Sequence, residues 1–175
     1  AFVYGIVLVP REYGSALVVA GVLATLGPGI LFVQGAVVPA VMQAILAHPA
    51  WPTADLQSLR FLNSGSSIVP VALIEAFHAR GVPVAQVYGS TETGPFSIAL
   101  PPERAVSHAG SCGWPAPGVE VRLRNPLGDV VSPGEVGEIC LRAPNVVRRY
   151  WPDLPACDAD GFFHSGDLAQ QAADG

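Results

Sequence analysis

Apolar runs and helix-length stretches alternate along the first half of the chain. Ala1 to Pro10 is rich in Val and Ile and predicts a buried strand. Tyr13 to Leu26 has helical length and Ala/Leu/Val content, and Gly27-Pro28-Gly29 ends it. Ile30 to Gln34 predicts a second strand. Pro39 to His48 predicts a helix with Pro at its start, where the absent N–H costs little. After a loop over Pro49 to Leu56, Leu59 to Leu62 predicts a third strand that runs into Asn63-Ser64-Gly65-Ser66-Ser67. A helix from Val69 or Pro70 to Ala79 follows, closed by Gly81. Val82 to Val87 is the fourth apolar run. Strands alternating with helices imply a parallel βαβ layer with right-handed crossovers.

The pattern changes between Pro95 and Gly113, where Pro and Gly become frequent and no helical period is sustained. Val119 to Leu123 alternates apolar and charged residues, as a half-exposed strand does. Asn125 to Asp129 predicts a turn, Val136 to Arg142 a strand, and Gly161 to His164 a further short one. The expected fold class is therefore α/β: a parallel layer over residues 1–97, followed by a small antiparallel β subdomain over 98–175.

Composition narrows the function. The 175 residues are 50% hydrophobic, enough to build a core, and the net charge of -5 argues against a nucleic-acid surface. All nine basic residues are Arg; the chain has no Lys. Three cysteines without metal or paired spacing fit a reducing, cytoplasmic setting. The stretch from Tyr13 to Ala54 carries no charge, but Gly27-Pro28-Gly29 breaks it, so membrane contact is not expected. The chain begins at Ala1 and stops at Asp174-Gly175, and the expectation is a piece of a longer protein.

The stretch with the most chemistry is Tyr88-Gly89-Ser90-Thr91-Glu92-Thr93, just past the fourth apolar run. In an open α/β sheet, ligands bind beyond the carboxyl ends of strands. Gly89 allows a sharp turn there. An aromatic face, hydroxyls and a carboxylate suit a base, phosphate oxygens and a hard cation. Ordinary uses exist for each: Tyr88 as a strand-end core aromatic, Glu92 as a solvated loop carboxylate, Asp167 as a turn residue or helix cap. The four histidines, His48, His78, His108 and His164, have no spacing that assigns them a role, and His164 is only near the site.

Tyr88 to Thr93 resembles the adenylate-binding signature of the acyl-CoA synthetases, in the AMP-binding, adenylate-forming superfamily. Three more stretches agree, in the family's order. Asn63 to Ser67 stands where the family has its adenine loop. Gly137 to Arg142, with Tyr150-Trp151, looks like a core strand and its aromatic pair. Gly161 to Leu168 looks like the ribose motif. The resemblance implies a central fragment of the large N-terminal domain of a ligase. It implies that ATP and a carboxylate, fatty by the apolar Gly94-Pro95-Phe96, give acyl-AMP, and that CoA then takes the acyl group. It implies nucleotide contacts by Gly65, Ser66, Ser67, Tyr88, Gly89, Ser90, Thr91 and Asp167. Thr91 would bind the α-phosphate, Glu92 would hold Mg2+, and Asp167 would accept from the ribose diol. The family's phosphate-loop Lys and lid-domain Lys have no counterpart, so the chain alone is expected to be inactive and to depend on missing N- and C-terminal parts. The other readings are a non-catalytic nucleotide-binding or structural remnant, and an adenylation domain that loads a carrier-protein thiol.

Overall fold

The computed structural model describes residues 37–57 and 59–175. The strands expected at 1–10 and 30–34 and the helix expected at 13–26 lie outside them. No helix among the described residues is long and apolar enough to cross a membrane.

Helix α1, Pro39–Leu46, starts on its proline and buries Met42. It stops short of His48 because Pro49 disfavours helical geometry in the residue before it. Strand β1, Leu62–Ser64, begins later than the expected Leu59. Ser64, a polar residue assigned to a loop, is fully buried in it, and its Oγ donates to the Val37 carbonyl at 2.7 Å. Helix α2, Val71–His78, turns Ile74 and Phe77 inward. Gly81, at φ 75°, then redirects the chain into β2.

Strand β2, Val84–Ser90, pairs in parallel with β1, with α2 as the crossover. It runs past the expected end at Val87. Tyr88, Gly89 and Ser90, placed on a loop by the sequence reading, belong to the strand. The chain then reverses directly into β3, Gly94–Ala99, which pairs antiparallel with β2, and β4, Trp114–Pro115, pairs with β3. The sheet order is β1-β2-β3-β4, so it is mixed, and the only parallel pair among the described residues is β1 and β2. Residues 97 and 98, the expected subdomain boundary, both lie inside β3.

The second sheet is antiparallel: β5 (Glu120–Arg124), β6 (Val136–Arg142) and β9 (Phe163–Gln170), in that order. A small hairpin, β7 (Arg149–Tyr150) with β8 (Leu154–Pro155), lies between β6 and β9 in sequence. Asn125 to Asp129 makes the expected turn, with Gly128 at φ 90°.

Two apolar clusters hold this together. Met42, Leu56, Val69, Ile74, Phe77, Val82 and Val84 pack between the helices and the parallel pair. Trp51 lies 4.8 Å from Phe77 between ring centroids, and the Arg80 guanidinium sits 5.0 Å above Trp51. Ile98 of the first sheet packs with Ile139 and Leu141 of the second, and Tyr88 and Val121 close over them. The sheets therefore share a core beside the end of β2. Phe77 is 2% exposed, so Phe77→Ala should cost about 3–5 kcal/mol in urea unfolding; a loss below about 1 kcal/mol would contradict this packing.

Candidate nucleotide site at the sheet junction

The turn between β2 and β3 is fixed from inside and outside. Thr93 is 1% exposed, and its Oγ1 accepts from the Ser90 N–H at 3.0 Å. Ser90 Oγ accepts from the Glu92 N–H at 3.2 Å. From the segment after β6, Asn145 Nδ2 donates to the Thr93 carbonyl at 2.7 Å and the Val147 N–H to the Glu92 carbonyl at 2.8 Å. These bonds leave the Thr91 side chain exposed. The Glu92 carboxylate accepts a long 3.4 Å bond from the Tyr150 hydroxyl. Asn145 and Val147 were not singled out in the sequence, because nothing local marks a residue that braces a turn 52 positions away.

Gly89 has a different reason from the one expected. It is not at a turn, and its φ is not positive. A Cβ there would lie 2.0 Å from the Gly94 carbonyl oxygen. Glycine is needed because β2 and β3 approach too closely for any side chain, at the point where their register shifts between Tyr88 and Ser90. Gly65 is similar: its Cβ would meet the Val87 carbonyl oxygen at 2.5 Å. Gly65, Ser66 and Ser67 therefore leave the carboxyl end of β1 pressed against β2, one residue before Tyr88. Ser66 takes φ 67°, and both serines are exposed.

Asp167 arrives from the second sheet. Glu138 pairs with Leu168 and Cys140 with His164, so β9 carries extra residues opposite β6. Ser165, Gly166 and Asp167 form this bulge, with Gly166 at φ 76°. The Tyr88 hydroxyl donates to Asp167 Oδ2 at 2.7 Å across the junction. Burial pushes the Tyr88 phenol up to about 12; the Ser165 contact works against that and the Asp167 contact adds to it.

Behind the bulge lies a network that the sequence reading missed. His164 Nδ1 meets Glu138 Oε2 at 2.9 Å, and Nε2 meets Asp158 Oδ2 at 3.2 Å. The other Glu138 oxygen accepts from the Gly166 N–H at 2.9 Å. Hydrogen bonds to Glu138 and then Asp158 raise the His164 pKa, and the His164 bond lowers that of Glu138. The available signal was the spacing of Glu138 and Cys140, which puts both on one face of β6 opposite His164.

The structure thus brings Gly65, Ser66, Ser67, Tyr88, Gly89, Ser90, Thr91 and Glu92 to the carboxyl end of the parallel pair, with Asp167 bonded to Tyr88. A hollow of about 460 Å³ lies elsewhere, by Ala54, Leu56, Arg80 and Gly81 near the start of β2. Arg80 there donates to the carbonyls of Trp51 and Ala54.

The AMP-binding enzyme family matches over residues 8–151. The chain belongs to this family. The match includes Asn63 to Ser67, Tyr88 to Thr93 and Gly137 to Arg142, while Gly161 to Leu168 lies beyond it. An indoleacetate–CoA ligase of Aromatoleum aromaticum is 46% identical over 79% of this chain and 28% of its own length. A feruloyl-CoA synthase of Amycolatopsis is 44% identical over 79% of this chain and 29% of its own. The crystal structure of an anthranilate CoA ligase in complex with anthranoyl-AMP superposes with a TM-score of 0.71 at 30% identity, over 79% of this chain and 27% of that one. The chain spans little more than a quarter of the length of the relatives it matches. The fold described above matches a part of the N-terminal domain of such AMP-binding ligases.

Two outcomes are expected of this member of the AMP-binding enzyme family. Gly89→Ala forces β2 and β3 apart and should destabilise by about 1–3 kcal/mol or more; an unchanged urea midpoint would contradict the close approach. For His164, the raised pKa gives stabilisation that is full below the ordinary 6.5 and is lost as pH rises through the raised value. For Glu138, the lowered pKa gives stabilisation that is full above the ordinary 4.5 and is lost as pH falls through the lowered value. In metal-free buffer, stability should therefore fall as pH is raised past 6.5, and His164→Gln should flatten that fall. An identical slope in the variant would contradict the network.

Proposed function

We propose that this chain is the central part of the large domain of an ATP-dependent CoA ligase. The reaction joins a carboxylate to the α-phosphate of ATP, releasing pyrophosphate, and then passes the acyl group to the CoA thiol. The observation that carries the reading is the 2.7 Å bond between Tyr88 and Asp167. It sets the residues expected at the adenine and the carboxylate expected at the ribose in one place, although they lie 79 positions apart.

Gly65, Ser66 and Ser67 line the adenine on one side and Tyr88 on the other. Gly89 and Ser90 keep the strand end close to the ligand. Asp167 accepts from the ribose hydroxyls with the oxygen capacity that Tyr88 leaves free. Thr91, exposed on a braced turn and without a side-chain hydrogen bond among the described residues, donates to the α-phosphate. Glu92 fits a magnesium ion: its backbone is fixed at the carbonyl and the N–H, and one long contact to Tyr150 leaves its carboxylate able to bind a hard cation. When bound, the ion neutralises phosphate charge. The protein's own part is positioning. The chain has no Lys, so the 175 residues alone bind nucleotide without catalysing adenylation, in a reducing, cytoplasmic setting.

The acyl group is an apolar carboxylate. Relatives that act on indoleacetate and ferulate favour a ring-bearing acid. The apolar Gly94-Pro95-Phe96 beside the turn supports a fatty acid as the second reading. The test is pyrophosphate exchange by the intact ligase with indoleacetate, ferulate and dodecanoate. Exchange should be fastest with a ring-bearing acid and fall about 10²- to 10³-fold in Thr91→Ala. Unchanged exchange in Thr91→Ala would remove Thr91 from the phosphate site. Exchange by the isolated chain would overturn the inactivity of the segment, and preference for dodecanoate would favour the fatty-acid reading.

A further inference from the structure

We propose that Glu138, Cys140 and His164 form a zinc-class metal site that ties β6 to β9 beside the Asp167 bulge. The inference is independent of the ligase reading. Glu138 and Cys140 project from one face of β6, and His164 faces them from β9, paired with Cys140. One ligand atom from each lies within 4.8 Å of the others. His164 Nδ1 is 3.5 Å from Cys140 Sγ and 2.9 Å from Glu138 Oε2. Tetrahedral coordination with ordinary zinc bond lengths separates such ligands by about 3.3–3.6 Å, so small side-chain rotations complete the geometry. A thiolate, an imidazole and one carboxylate favour zinc over magnesium or calcium.

The surroundings also fit. Asp158 accepts from His164 Nε2 at 3.2 Å and directs the Nδ1 lone pair toward Glu138 and Cys140, the carboxylate–histidine–metal arrangement. Arg124 in turn holds Asp158 at 2.8 Å. Charge balances in both states. Without metal, two carboxylates face an imidazolium and a guanidinium, and Cys140 is fully buried, which favours the neutral thiol. A divalent cation that displaces the Nδ1 proton and the thiol proton leaves the sum unchanged, and both protons go to solvent. Glu138 binds through Oε2 and keeps Oε1 for the Gly166 N–H. The metal thus adds a staple without releasing the bulge. His164 and Glu138, at 40% and 29% side-chain exposure, give it a path from solvent and leave room for a water as fourth ligand.

Cobalt(II) titrated into the purified chain is the test. Expected are one equivalent bound, a near-ultraviolet thiolate charge-transfer band, the strong visible bands of four-coordination, and displacement by zinc. Cys140→Ser should remove the charge-transfer band, while Cys112→Ser and Cys157→Ser retain it. If Cys140→Ser does not fold, His164→Gln decides the question from an accessible position by weakening cobalt binding at least about tenfold. No charge-transfer band at millimolar cobalt, a band that survives Cys140→Ser, or unchanged affinity in His164→Gln would each overturn the site.

Discussion

Tyr88 and Asp167 meet at 2.7 Å across the joint between two sheets, and the candidate site depends on that joint staying closed. A hydrogen bond to a carboxylate contributes about 1.5–3 kcal/mol when shielded, and less here, where Asp167 is exposed. The bond does not act alone. Asn145 and Val147 hold the carbonyls of Thr93 and Glu92, and Ile98 shares a core with Ile139 and Leu141. Each contact links the β2–β3 hairpin to the β6 side of the molecule. A ligand that touches both Tyr88 and Asp167 is therefore read by two sheets, each held rigidly by its own backbone ladder.

Much of this was legible from residues alone. The buried run Val84 to Val87 marks a central strand. The stretch from Val69 or Pro70 to Ala79 marks the helix that α2 forms, and the alternation in Val119 to Leu123 marks a half-exposed antiparallel strand. The order of four short motifs pointed to the family. Strand β3 was not legible: Gly94-Pro95 looks like punctuation, and a hairpin that starts on it declares itself only through pairing with β2. Ser64 was assigned to a loop by its polarity, yet it is buried because the Val37 carbonyl satisfies it.

The two site glycines show why spacing outperforms conformational reasoning here. A glycine after an apolar run suggests a turn. Gly89 is instead an extended residue with no room for a side chain, 2.0 Å from the Gly94 carbonyl oxygen. Gly65 is crowded in the same way by the Val87 carbonyl. Both sit where strands converge on the site, and the crowding comes from the facing strand rather than from the flanking residues in sequence. The His164 network has the same character: its partners Glu138 and Asp158 come from other segments.

The most direct measurement is a titration of AMP into the isotope-labelled chain, following backbone amide shifts. A site shared by both sheets requires the amides of residues 65–67 and 88–93 to move together with those of 165–167, on one dissociation constant. Shifts confined to one sheet, or two groups with different constants, would contradict a nucleotide site built across the Tyr88–Asp167 joint.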